Sequence, residues 1–174
     1  AAGLTVGRIA GDGRALAGIQ DDRGRFRLMY APVSVDGVVG KAQRVFQDDD
    51  PIVDDYDVSF DGTLVVYAVR RVSGQHGVFL AHFPTGRDER QVAEDAERPR
   101  FSRDGREVFY LKTVAGAGGP PSRALMSRAV TAKPEVALGA AATVFGGETA
   151  ALMAPQGYNV APDGRRFFTL KSVP

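Results

Sequence analysis

The chain has no cysteine, no tryptophan and only two histidines among its 174 residues. Without cysteine, neither disulfides nor thiolate metal sites can form, and the absence fits a reducing or an oxidising compartment equally. His76 and His82 alone are a poor ligand set for zinc. No apolar run reaches the roughly eighteen residues that a membrane-spanning helix needs. The opening "AAGLTVGRIAGDGRAL" has no charged segment followed by an apolar one, so no targeting signal is readable. An excess of charge is missing too: 22 Lys and Arg stand against 21 Asp and Glu, a net charge of +1. That balance gives no general attraction to nucleic acid or to an anionic membrane, and neither a nucleic-acid partner nor membrane insertion is expected.

What the chain does have is turns and apolar runs. It carries 21 Gly and 10 Pro, with 44% hydrophobic and 25% charged residues. These are ordinary globular values, and the length suits one domain (residues 1–174) with a sizeable core.

One phrase is written three times: "DVSFDGTLVVYAVRR", "PRFSRDGREVFYLKT" and "YNVAPDGRRFFTLKS". Each places an alternating stretch before an Asp-Gly pair and an apolar, β-branched or aromatic run behind it. The pairs are Asp61-Gly62, Asp104-Gly105 and Asp163-Gly164, with Asp12-Gly13 as a weaker fourth. Asp can bond back to the turn backbone, and Gly supplies the left-handed conformation that a hairpin of this kind requires. Gly62, Gly105 and Gly164 are therefore expected at positive φ. The runs "LVVYAV" and "VFYL", residues 64–69 and 108–111, are apolar at every position, the pattern of strands buried on both faces.

Further tight turns, "SGQHG" and "PTGRDER", separate further short strands. Four strands within a repeat of about 40–50 residues mark a β-propeller blade, which buries its faces only by stacking on neighbours. A second self-similarity, "LMYAPVSVDGVVGKAQRVF" against "LMSRAVTAKPEVALGAAATVF", gives the outer strand pairs of the first and third blades. The expected fold is thus all-β: a propeller-like stack of four-stranded antiparallel blades at about 5–46, 54–93 and 99–145, and a half blade at 158–173. No helix of useful length is expected.

The Ser-x-Asp-Gly turn with its following strand resembles the PD40 repeat, the WD40-like unit of TolB-type propellers, "FSRDGREVFYLK" most closely. The same unit occurs in the propellers of prolyl oligopeptidase and dipeptidyl peptidase IV relatives. "YNVAPDGRRFFTLK" resembles the last repeat of bacterial propellers joined to Ser/Thr kinases or regulators. This resemblance implies a binding, sensing or scaffold module with a protein or peptide partner. The alternative it implies is the gating propeller of a prolyl-oligopeptidase-like serine peptidase. A TolB-type setting would be periplasmic or extracytoplasmic. Rings of this kind usually have six to eight blades, so this chain is expected to belong to a larger protein or to self-associate through its open blade edges.

The search for chemistry yields no catalytic, cofactor-binding or metal-ligating residue, and no enzyme is expected. There is no nucleophile elbow. Ser73 and His76 fall in a turn. "GVVGKA", residues 37–42, has the wrong spacing for a phosphate loop. Asp48, Asp49, Asp50, Asp54, Asp55 and Asp57 could suggest calcium, but they lack the EF-hand alternation and read as a solvated inter-blade loop. Arg98, Arg100, Arg103 and Arg106 stand among Glu94, Asp95, Glu97, Asp104 and Glu107 and read as a mixed-charge surface. "AGAGGPPS", residues 115–122, reads as a flexible hairpin tip.

Overall fold

The computed structural model describes residues 4–22, 24–47, 52–70, 73–74, 76–115, 121–132, 135–153 and 157–170. Three four-stranded antiparallel sheets follow one another along the chain. The first holds β1 (Leu4–Ile9), β2 (Ala15–Asp22), β3 (Arg25–Pro32) and β4 (Gln43–Arg44). The second holds β5 (Ile52–Val58), β6 (Leu64–Arg70), β7 (His76–His82) and β8 (Arg90–Glu94). In the third, β9 (Ala96–Phe101), β10 (Glu107–Val114), β11 (Ser122–Thr131) and β12 (Ala137–Gly146) keep the same order. A short helix, α1 (Glu148–Met153), then leads to the hairpin β13 (Asn159–Val160) and β14 (Phe167–Phe168). The expected fold class holds: the first strands β1, β5, β9 and β13 lie side by side at a hub, and each blade fans outward from its own.

The blades are held by stacking, and β6 shows why Leu64 to Val69 are all apolar. Val65, Tyr67 and Val69 pack toward Ala17 and Leu28 of the first blade. Leu64, Val66 and Ala68 pack the other way, against Val108 and Tyr110 of the third. All six are buried. The next strand repeats the scheme, since Phe109 and Leu111 turn from the second blade to Leu125, Tyr158 and α1. Each such strand removes two faces of large side chains from water, at about 1.5–3 kcal/mol per large side chain.

Helix α1 was not expected from the sequence. Its six residues carry too short a pattern to register, and it forms because Ala150 and Met153 complete the cluster under Leu111 and Leu125. The hairpin after it is two-stranded among the described residues, and leaves Phe168 and Leu170 exposed at 57% and 78%.

The repeated turns are nearly superimposable in their bonding. Gly62 N–H donates to Ser59 O at 2.9 Å and Gly105 N–H to Ser102 O at 3.0 Å. Asp61 and Asp104 each accept from the backbone N–H two residues on, at 3.1 Å. Ser59 and Ser102 hydroxyls donate to those aspartates at 2.7 Å and accept from Leu64 and Glu107 N–H at 2.9 Å. The outer copies replace the serine by Ala10 and Ala161 yet keep the glycine and aspartate bonds. Gly13, Gly62, Gly105 and Gly164 have φ of 74, 69, 70 and 68°. A β-branched residue in that region is strained, so Gly105→Val should lose about 1–3 kcal/mol of stability in urea melts. A change smaller than the scatter of the melts would mean that the turn tolerates a β-branched residue.

Candidate functional site

The hub is where the fold brings chemistry together. Each inner strand of the three full blades carries an irregularity in its pairing, between Thr5 and Arg8, between Val53 and Asp55, and opposite Phe109 to Leu111. Such bulges bend a strand and re-aim its side chains. In β9 the irregular stretch includes Arg98, held at φ 56°. Two residues before the Ser/Ala of each turn stand Arg8, Asp57, Arg100 and Asn159, the same place in four successive repeats.

Asp57 is central. Its Oδ1 lies 3.1 Å from Arg8 of the first blade, and its Oδ2 accepts from Phe101 N–H of the third at 2.9 Å. Val58 N–H adds a bond to Oδ1 at 3.1 Å. One carboxylate thereby ties three blades. Burial pushes Asp57 above the ordinary carboxylate range; Arg8, the Phe101 N–H, Arg100 and the Val58 N–H pull it back without offsetting that cost. A second bridge runs beside it. Asp55 lies 3.0 Å from Arg100, whose Nε–H donates to Tyr158 O at 3.2 Å. Arg98 approaches the same carboxylate at 3.9 Å. Tyr56 and Tyr158 occupy matching places, but only Tyr56 has its hydroxyl satisfied, donating to Ala17 O at 2.9 Å. The buried Tyr158 hydroxyl has no hydrogen-bond partner among the described residues, and burial raises its pKa well above the usual phenol value.

Above these bridges the hub opens as a cavity of about 400 Å³, at the end where the repeat turns lie. That is within the range of small-ligand and peptide pockets. It is lined by the second residues of three turns, Gly11, Phe60 and Arg103, together with Pro162 at the same place in the fourth. Arg103 lies over the Phe60 ring, 4.5 Å from its centroid. Gly11 sits so close that an added Cβ would lie 2.2 Å from the ring. Arg8 also lines a second cavity of about 330 Å³ with Arg100, Asn159 and Phe168, and so stands between the two spaces.

Several sequence expectations change here. Asp54, Asp55 and Asp57 are not loop residues: they lie on β5 and pair with Arg70, Arg100 and Arg8. Asp48, Asp49 and Asp50 lie outside the described residues. Arg98 to Arg106 are not one mixed surface either, since Arg100 is buried at the hub and Arg103 faces the cavity. Asp95 stands 3.4 Å from His76 Nδ1, but the pair is exposed and Ser73 does not line the small cavity beside His76. Gly37 and Gly40 spend their N–H groups on Ser34 O and Pro32 O, which leaves no cradle for phosphate from those two glycines. Residues 116–120 of the hairpin tip lie outside the described residues. Among the described residues no group of three or more acidic or histidine side chains is placed to hold a metal.

No protein-family model and no curated protein matches the chain. Solved structures do. TolB from Acinetobacter baumannii aligns with a TM-score of 0.62 at 14% identity, over 93% of this chain and 36% of that one. A putative TolB from Agrobacterium tumefaciens gives 0.55 at 19%, over 92% and 57%. The β-propeller domain of the Trilobed protease from Pyrococcus furiosus gives 0.52 at 12%, over 82% and 42%. The fold is therefore that of a TolB-like propeller, and the chain spans between about a third and just over half of these proteins.

Truncating Asp57 orphans the buried Phe101 N–H and frees Arg8. Asp57→Ala should cost about 2–3 kcal/mol in urea melts. The pH dependence separates Asp57 from the turn aspartates. With its folded pKa raised, Asp57 contributes most below about pH 4, and wild type should lose stability relative to Asp57→Asn as pH rises from 4 to 7. Asp104 is lowered, chiefly by the Ser102 hydroxyl, so wild type should gain relative to Asp104→Asn as pH rises toward about 4 and hold that gain above it. Parallel pH profiles for the two variants would contradict the opposite environments assigned to these carboxylates.

Proposed function

We propose that the protein is a non-enzymatic binding module of the TolB-like propeller class, whose hub cavity receives a protein or peptide segment. The observation that supports this reading is the arrangement of the turns. Their first, third and fourth positions serve the hairpin, while the second positions, Gly11, Phe60, Arg103 and Pro162, turn toward a common cavity without serving the turn's own bonding. A rigid scaffold presenting unconstrained loop positions around one opening is suited to recognition. Ile9 and Phe60, 68% and 46% exposed, give that opening an apolar part.

A second reading is favoured by likeness to a structure of prolyl endopeptidases, with a TM-score of 0.56 at 16% identity over 87% of this chain. There the chain would be a gating propeller in front of a hydrolase. A reading frame that continues into a nucleophile-elbow segment would select it.

The binding reading is tested by peptide display. Peptides selected on the wild-type chain should bind the Ile9→Trp variant at least about tenfold more weakly, because the indole fills the cavity mouth while the core is untouched. Equal binding to both would place recognition elsewhere and overturn the proposal.

A further inference from the structure

We infer that the hub cavity selects an extended peptide in which a carboxylate stands beside a bulky aliphatic side chain, with Arg103 and Arg8 as the carboxylate's partners. The inference rests on the binding reading above and adds the chemistry of the ligand.

Charge sets the first half of it. The cavity is lined by two cations, Arg8 and Arg103, and one anion, Asp57. Asp57 is committed on both oxygens, to Arg8 and Val58 N–H on one and to Phe101 N–H on the other. Asp55 is likewise held by Arg100. The turn aspartates Asp12, Asp61, Asp104 and Asp163 do not line the cavity, and each accepts from its own turn backbone. Arg103 has no carboxylate partner among the described residues. Among those residues its guanidinium is oriented by the Phe60 ring, which leaves its N–H edge able to take a planar anion in two parallel bonds. Arg8 is 38% exposed on its side chain and can share a second carboxylate with Asp57.

The apolar half follows from how Phe60 is used. Its ring lies against Gly11 and under the Arg103 guanidinium, and Phe60 also lines the cavity. A nucleobase needs an open aromatic face to stack on, and Arg103 already stacks on the Phe60 ring. An aliphatic side chain needs only the shelf that Ile9, Phe60, Val160 and Pro162 provide. The combination of two cations and an aliphatic shelf favours a peptide over a polyphosphate backbone.

The test uses fluorescence anisotropy of the intact chain with labelled octapeptides of alternating Leu-Glu, Leu-Gln and Leu-Lys, and an oligothymidylate of equal length. The Leu-Glu peptide should bind, the Leu-Gln peptide about tenfold more weakly, and the Leu-Lys peptide not measurably. Arg103→Ala, at an exposed position, should abolish the Glu-over-Gln preference while circular dichroism stays unchanged; Arg103→Lys should keep the charge but recover only part of it. Equal binding of the Glu and Gln peptides, a preference that survives Arg103→Ala, or no measurable binding of the Leu-Glu peptide at millimolar concentration overturns the inference. Displacement of the Leu-Glu peptide by oligothymidylate overturns it in favour of nucleic acid. If display-selected peptides are blocked by Ile9→Trp yet show no acidic preference, the binding reading stands and this inference alone falls. If no selected peptide depends on Ile9, both fall.

Discussion

A buried carboxylate, that of Asp57, ties the hub together. Stacked blades meet over apolar faces, and such faces resist separation but have little directionality. Asp57 supplies direction: it takes a guanidinium from the blade before it and a backbone N–H from the blade after it. Asp55, Arg100 and the Tyr158 carbonyl extend the same logic one blade further. The cost is visible in the raised proton affinity of Asp57, where burial outweighs the partners assembled around it. A charge kept at that cost fixes how the blades are turned toward one another, which apolar packing alone does not do.

The repeat turns divide their labour by position. Ser, Asp and Gly are spent on closing the hairpin, and where alanine replaces the serine the remaining two suffice. The second position is free of that duty and faces the hub. Selection for folding therefore leaves it open to glycine, phenylalanine, arginine or proline, and the four together compose the mouth of the cavity. The Phe60 ring shows how such residues depend on one another, since a side chain at Gly11 would collide with it and Arg103 packs over it.

The resemblance to TolB-type structures is one of shape. At identities of 14% and 19% it reflects shared blade geometry, which the apolar strands and Asp-Gly turns are sufficient to generate. The charges at this hub, Arg8, Asp55, Asp57, Arg100 and Arg103, belong to this sequence.

Much of the architecture was legible beforehand. Unbroken apolar runs such as Leu64 to Val69 and Val108 to Leu111 announce burial on two faces, and Asp-Gly pairs before such runs announce hairpins; both signals are local, so β6, β10 and the turns at Gly62, Gly105 and Gly164 could be read directly. Helix α1 could not, because its six residues are fixed by the cluster they cover. The site was hidden for a related reason. In the sequence Asp54, Asp55 and Asp57 look like a solvated loop and Arg98 to Arg106 like a mixed surface, since charge is ordinarily exposed. The one available signal was the alignment of the repeats, which sets Arg8, Asp57, Arg100 and Asn159 at one place and Gly11, Phe60, Arg103 and Pro162 at another. Sequence alone thus determined the strands and their turns, which depend on neighbours a few residues away. Only the stacking of blades decided which charges are buried and paired, because residues as far apart as Arg8, Asp57 and Phe101 meet only at the hub.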